Sequence, residues 1–300
     1  MITYATAAAF KQALEARLRS SSTTGVDFAR RRQLVVFDRF LARIARALGD
    51  SVIAKGGIVV ELRVERARTT KDIDLWLIGS PDGLLERLQE LAAMDLGDFL
   101  SFDVKPDAVH PAITNEGMLH EGQRYRVACR LAGKVYGQPF GLDVAFADPI
   151  FGEPDILVAD DVLGFAGVPP PTLRVYPLET HIAEKLPAYT LPRPRPNSRV
   201  KDLPDIALLA SVREISAVTL YAALKQTFDS RGTHELPGRF PAPPPSWTAP
   251  YAHMADVDRL VWPDIDAVLA AVRTFLDPVL ERTRGTWRPS TWSWSPAAPP

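Results

Sequence analysis

Hydrophobic positions recur along this chain with two periods, one helical and one of two residues, and the changes between them mark out its elements. Apolar residues at helical spacing predict helices near 5–19 and 27–48. Residues 51–55 (SVIAK) read as a short strand, Gly56-Gly57 as the tight turn after it, and 58–64 (IVVELRV) as one or two helical turns. β-branched and aromatic residues dominate 71–78 (KDIDLWLI), which predicts a strand. Ser80-Pro81 predicts a helix to about Met94, with serine as N-cap and proline at the first position. Strands are expected around 99–104, 123–132 and 138–147, the last two forming a hairpin across 132–137.

Beyond the prolines at 169–171 the helical period prevails, with helices expected near 178–190, 202–212, 215–229, 247–259 and 264–283. The pattern divides the chain into residues 1–170, an α/β (α+β) domain with a mixed sheet, and residues 171–300, a mostly α-helical lobe. Trp287, Trp292 and Trp294 lie in a Pro- and Ser-rich tail, and at least one of them is expected to dock on the helical lobe.

Composition adds bounds. Three hundred residues at 46% hydrophobic content suit one large or two medium domains with a sizeable core. There is no run of 18 apolar residues for a membrane span, and the first 20 residues lack a signal-peptide pattern, so a cytoplasmic protein is expected. Cys129, the single cysteine, sits in an alternating stretch (RYRVACRL) and reads as a buried reduced thiol, which leaves neither disulfides nor a zinc cluster. A net charge of −1 argues against a globally basic nucleic-acid binder, so any RNA contact must be local. Arginine outnumbers lysine 27 to 8. The cluster at 30–32 reads as a solvated helix face, whereas Arg63, Arg66 and Arg68, and Arg193, Arg195 and Arg199, flank the candidate site and read as phosphate contacts.

The candidate chemistry lies in 55–78 (KGGIVVELRVERARTTKDIDLWLI). A strand over 71–78 sends Asp72 and Asp74 to one face. Two carboxylates about 4 Å apart at an effective dielectric near 20 repel by about 4 kcal/mol, which calls for a cation or a raised pKa. Mg²⁺, with Mn²⁺ as the alternative, takes one or two such carboxylates together with substrate phosphates. Gly56 and Gly57 open a helix, where backbone N–H groups are free and phosphate can come close.

In this order the motifs resemble motif one of the polymerase-β-like nucleotidyltransferases, in particular the AbiEii/AbiGii toxin family with its MenT-type members. GLDVAFAD (141–148) resembles the second motif, HIAEKLPAYT (181–190) the Glu-Lys-Leu motif and VKDLPDIALLA (200–210) the Lys-Asp-x-x-Asp motif; the resemblance covers about residues 30–295. Three positions depart from the pattern: Ile58 replaces a small or hydroxyl residue, while Pro187 and Pro204 interrupt expected helices. Pro204 suits a helix capped by Asp202, and Pro187 predicts a kink or an end after Lys185.

The resemblance implies a polymerase-β-like nucleotidyltransferase domain whose catalytic residues are Asp72, Asp74, Asp143, Lys185 and Asp202. Asp72 and Asp74 would bind the metal, Asp143 would share a second metal or accept a proton, Lys185 would sit on the phosphates, and Asp202 would orient Lys185 or an arginine. Gly56, Gly57, Lys55, Arg68 and Thr70 are the nucleotide- and phosphate-binding candidates, with Lys201 behind them; the Thr70 hydroxyl is expected to bond substrate or backbone. The implied substrates are a nucleoside triphosphate and the 3′ end of tRNA, and the implied partner is an antitoxin of the transcriptional-regulator type. Two readings stay open beside it: a protein or small-molecule acceptor, and an NTP-binding module without turnover.

Overall fold

The structure is a computed structural model that describes residues 4–64, 67–113, 122–146, 150–192 and 199–296. Arg66, Arg193, Arg195 and the last two residues of the 141–148 motif lie outside the described residues.

The chain begins with α1 (Ala7–Ser21), α2 (Gly25–Leu48), β1 (Val52–Lys55), α3 (Gly56–Arg63), β2 (Asp72–Leu77) and α4 (Leu84–Ala92). There follow β3 (Leu100–Pro106), β4 (Ala112–Ile113), β5 (Gly122–Leu131), β6 (Lys134–Val135), β7 (Phe140–Phe146), β8 (Asp155–Val158) and β9 (Thr172–Val175). The remainder is α5 (Leu178–Thr190), α6 (Asp202–Ala210), β10 (Ile215–Ser216), α7 (Ala217–Arg231), α8 (Thr248–Asp258), α9 (Ile265–Leu280), β11 (Gly285–Arg288) and β12 (Ser293–Pro296).

β1 to β9 build one mixed sheet in the order β3-β5-β7-β2-β1-β9-β8, with β4 and β6 on β5. β2 is central, antiparallel to β1 and parallel to β7. Its alternation fixes its orientation: Ile73, Leu75 and Leu77 are at most 1% exposed and join α1, α2 and α4 in the first core. Asp72 and Asp74 must then point to the opposite face, and a slip of one residue would bury both carboxylates in that core. The same core takes Cys129, whose thiol burial pushes up to about 12, so it is inert as a nucleophile.

The helices α5, α6, α7 and α9 enclose a second core. Val60 of α3 and Ala67, just before β2, belong to it, so the segment joining β1 to β2 is packed into both layers. The tail folds back as expected. β10, β11 and β12 form a small sheet against α9, with Trp287 fully buried and its indole N–H on the Ala210 carbonyl. The indoles of Trp292 and Trp294 donate to carbonyls of Ala271 and Phe275. Among the described residues no helix is long and apolar enough to cross a membrane.

Several local expectations are corrected. β8 and β9 escaped the sequence reading, and β9 lies past residues 169–171 yet pairs with β1 and so extends the first sheet. The helix expected from Ser80-Pro81 starts at Leu84 after Gly83 in the left-handed region (φ +63°), because the Ser80 hydroxyl instead closes a local turn with Asp82. α3 begins at Gly56 rather than after the glycine pair. α5 runs through Pro187 to Thr190, one proline in a well-buried helix being outweighed by packing. Asp202 is the first residue of α6, not its cap; Lys201 holds the cap position and Pro204 sits harmlessly in the first turn.

Candidate active site

The β1–α3 junction, β2, β7, α5 and the start of α6 converge on one cleft of ≈ 340 Å³. All ten residues singled out from the sequence line it: Lys55, Gly56, Gly57, Arg68, Thr70, Asp72, Asp74, Asp143, Lys185 and Asp202. Lys201 and Arg199 line it as well.

One wall carries the carboxylates. The parallel register of β2 and β7 sets Asp74 opposite Asp143, and the antiparallel register of β1 and β2 sets Lys55 opposite Asp74. Asp72 is opposite Gly141, whose N–H donates to its Oδ1 at 3.1 Å; a side chain there would meet that oxygen at 2.6 Å. Among the described residues no hydrogen bond reaches the Asp74 carboxylate. Burial raises its pKa and the like charge of Asp143 adds to this, against the pull of Lys55, Lys185 and Lys201. Asp143 is spoken for: Arg124 of β5 donates Nε to Oδ1 and Nη2 to Oδ2, both at 2.7 Å.

The glycines work by absence of bulk. Gly56 has φ +71°, and a Cβ on it would lie 1.9 Å from Asp74 Oδ2. A Cβ on Gly57 would lie 2.6 Å from Thr70 Oγ1 and 3.1 Å from an Arg68 guanidinium nitrogen. The pair therefore lets β2 and the loop before it press against the first turn of α3, which carries no side-chain cap. Ile58, where the sequence departs from the family pattern, turns its side chain into the first core. Thr70 donates its hydroxyl to the Asp72 carbonyl at 3.3 Å, and its N–H donates to Glu61.

The opposite wall is a buried ion network. Lys185 Nζ lies 2.7 Å from Asp205 Oδ2 and 3.4 Å from Asp202 Oδ1. Arg68 holds Asp205 with two bonds of 2.8 Å. Burial alone would drive the Lys185 ammonium toward neutrality, but Asp205 and then Asp202 outweigh it and the net direction is upward. For Asp205 burial pulls upward and Arg68 and Lys185 overcome it, so its carboxyl stays well below the usual range. Lys201, desolvated and crowded by Arg68, is pulled down. His181, one turn before Lys185, is 2% exposed with neither ring nitrogen hydrogen-bonded among the described residues; burial, then Lys185, keep it neutral.

Sequence reasoning missed Asp205, Arg124 and Glu61. Asp205 was in view as the second aspartate of KDLPD, three residues from Asp202 and so on the same helix face. Arg124 had no sequence signal, because strand register alone pairs it with Asp143. Two arginine assignments are also revised. Arg30 is not on a solvated face, since it donates to the Ala67 carbonyl, and Arg63 braces Asp155 and the Tyr176 carbonyl rather than the cleft.

Oxygen donors lining a cleft suit a hard divalent cation, and the like charges of Asp74 and Asp143 on adjacent strands are a physical reason for one. Asp72 and Asp74 fit that role as they stand. No group of three or more acidic, His or Cys side chains gathers into a metal site among the described residues, and Asp143 is held by Arg124.

A mixed sheet with paired strand carboxylates, a glycine-opened helix and a lysine from the helices beyond it is the arrangement that the motif resemblance implies for the nucleotidyltransferase class. The chain belongs to the nucleotidyl transferase AbiEii toxin family of type IV toxin–antitoxin systems, whose sequence profile matches residues 39–271. It is similar in fold to MenT4, a nucleotidyltransferase toxin of Mycobacterium tuberculosis, at 20% identity and a TM-score of 0.53, over 87% of this chain and 98% of that one. JHP933 from Helicobacter pylori is more distant, at 15% identity and a TM-score of 0.47, over 83% of this chain and 94% of that one. No curated protein matches the chain.

Proposed function

We propose that the protein transfers a nucleoside monophosphate from a nucleoside triphosphate to the 3′ end of tRNA, blocking aminoacylation and hence translation. The observation that supports this reading is the meeting in one cleft of Asp72, Asp74 and Asp143 from two adjacent strands with Lys185 and Asp202 from the helical lobe. Family membership supports a transferase acting in a toxin–antitoxin pair.

In this reading the oxygen of the tRNA 3′ hydroxyl attacks the α-phosphorus, the bond from that phosphorus to the bridging oxygen breaks, and pyrophosphate leaves. Mg²⁺, or Mn²⁺ in its place, supplies charge neutralisation on the triphosphate when bound, with Asp72 and Asp74 as its protein ligands. Asp143 either takes the proton of the hydroxyl or would share in holding a second metal ion. The first turn of α3 cradles phosphate with its backbone N–H groups at Gly56 and Gly57. Lys185, held by Asp205 and Asp202, stabilises charge growing on the leaving pyrophosphate; Lys55, Arg68, Thr70 and Lys201 complete the phosphate surroundings. The tRNA end, cytoplasmic action and a transcriptional-regulator antitoxin are parts of the same reading.

Pure protein, Mg²⁺, labelled nucleotides and total tRNA are expected to give tRNA labelled at its 3′ ends, and Asp72→Ala to abolish the label. Nucleotide left wholly free would refute the reading. A second reading, nucleotide binding without turnover, draws on one observation, the engagement of Asp143 by Arg124. Growth arrest that is identical for wild type and Asp74→Ala would favour it.

A further inference from the structure

We propose that Arg124 is a positioning residue that withholds Asp143 from a divalent cation until a nucleoside triphosphate arrives. The inference rests on the transferase reading above and adds to it an order of binding.

Arg124 and Asp143 stand directly opposite each other on β5 and β7. Both oxygens of the carboxylate face one guanidinium through two parallel bonds of 2.7 Å, the geometry in which an arginine satisfies a carboxylate most fully. The guanidinium occupies one lone pair on each oxygen, so a divalent cation would keep only the remaining ones and would meet the positive charge already there; each occupant weakens the other. Among the described residues, the Asp72 carboxylate accepts a backbone N–H alone and the Asp74 carboxylate accepts no hydrogen bond. Among the described residues, Asp143 is thus the one of the three whose carboxylate a side-chain cation bonds directly, whereas Asp74 feels Lys55, Lys185 and Lys201 only at longer range.

The pair can also come apart. The side chains are 36% and 21% exposed and line the cleft, so water screens the bond and its loss is modest. A triphosphate entering that cleft offers the guanidinium phosphate oxygens with the same bidentate geometry. Arg124 would then transfer from carboxylate to phosphate, and Asp143 would become a ligand or a proton acceptor only with substrate present. An ordinary cross-strand staple predicts none of this. β5 carries such a staple as a comparison: Arg130 bonds Asp103 of β3 at 2.7 Å, with both side chains about half exposed.

The test uses the full chain and Mn²⁺ alone, with binding read by loss of the free aqueous Mn²⁺ signal in electron paramagnetic resonance and no nucleotide present. Arg124→Met is expected to bind Mn²⁺ roughly two- to fivefold more tightly than wild type, the ratio that a partly exposed ion pair corresponds to. Adding Asp143→Asn to that variant is expected to remove the gain, and Arg130→Met to leave the wild-type affinity. Wild-type affinity in Arg124→Met, or a gain that survives Asp143→Asn, overturns the proposal. Should Arg124→Met fail to fold, Arg124→Lys keeps the charge without the fork and is expected to fall between the two; wild-type affinity there overturns the proposal equally. Mn²⁺ binding that needs Asp72 and Asp74 but ignores Arg124 defeats this inference alone, whereas binding indifferent to Asp72 and Asp74 defeats the transferase reading too.

Discussion

Replacing Gly56 by alanine is expected to destabilise the protein and displace a carboxylate from the cleft at the same time. The backbone at Gly56 has φ +71°, a left-handed conformation that costs an L-residue with a Cβ roughly 1–2 kcal/mol. The new methyl would lie 1.9 Å from Asp74 Oδ2, 2.6 Å from its Cγ and 2.9 Å from its Cβ, so the whole aspartate side chain must leave its rotamer. That adds about 0.5–1.5 kcal/mol. The total is about 1.5–3.5 kcal/mol, or roughly 2–6 °C in Tm for a chain of this size. Gly83 provides the control, since it also has positive φ (+63°) but its nearest atom to an added Cβ is 4.0 Å away; Gly83→Ala isolates the backbone part. Denaturant unfolding of Gly56→Ala, Gly83→Ala and Gly56→Ala/Asp74→Ala separates the contributions. The double variant, freed of the carboxylate, is expected to regain about 1 kcal/mol over Gly56→Ala while remaining inactive in nucleotide transfer. A double variant no more stable than Gly56→Ala, or a Gly56→Ala no less stable than Gly83→Ala, would show that Asp74 does not press on this turn.

Two further outcomes test the walls of the cleft. Asp205→Asn leaves the buried Arg68 and Lys185 without their shared anion and is expected to cost about 3–5 kcal/mol, against far less for Asp202→Asn, whose nearer oxygen lies 3.4 Å from Lys185; equal costs in urea unfolding would contradict the network. Glu61 sets a pH dependence: burial lifts its carboxyl from 4.5 to about 7, so the folded state holds the proton more tightly than the unfolded chain. Its contribution is complete below about pH 4.5 and is lost as pH rises through about 7, on the order of 3 kcal/mol at most; Glu61→Gln is expected to flatten stability across that window, and an unchanged pH profile would refute the assignment.

Much of the site was legible because its signals are local. A period of two places Asp72 and Asp74 on one face whatever surrounds them, and a glycine pair before a helix exposes the same backbone groups in any fold. The lysine and aspartates of the helical lobe were found from motif order, not from physics, since a lysine on a helix is ordinarily solvated. Errors gathered where a tertiary partner decides the outcome. β8 and β9 are four residues each with mixed patterning, and sheet pairing alone makes them strands. Pro187 breaks an isolated helix, but in α5 the packing of Leu178, Ile182 and Leu186 into the second core outweighs one lost bond.

The sequence by itself marked the candidates: periodicity and covalent geometry put the carboxylate pair on one strand face and the glycine pair at a helix start, while the third aspartate on a later strand and the lysine came only from motif order. Tertiary structure decided what each of them is doing. Strand register brought Asp143 beside Asp74 and gave it to Arg124, and the close packing of α5 on α6 made Asp205, rather than Asp202, the main partner of Lys185. Register and packing depend on residues tens of positions apart, and the free energy of a buried charge depends on every neighbour that replaces its water, so neither is written in any single stretch of the chain.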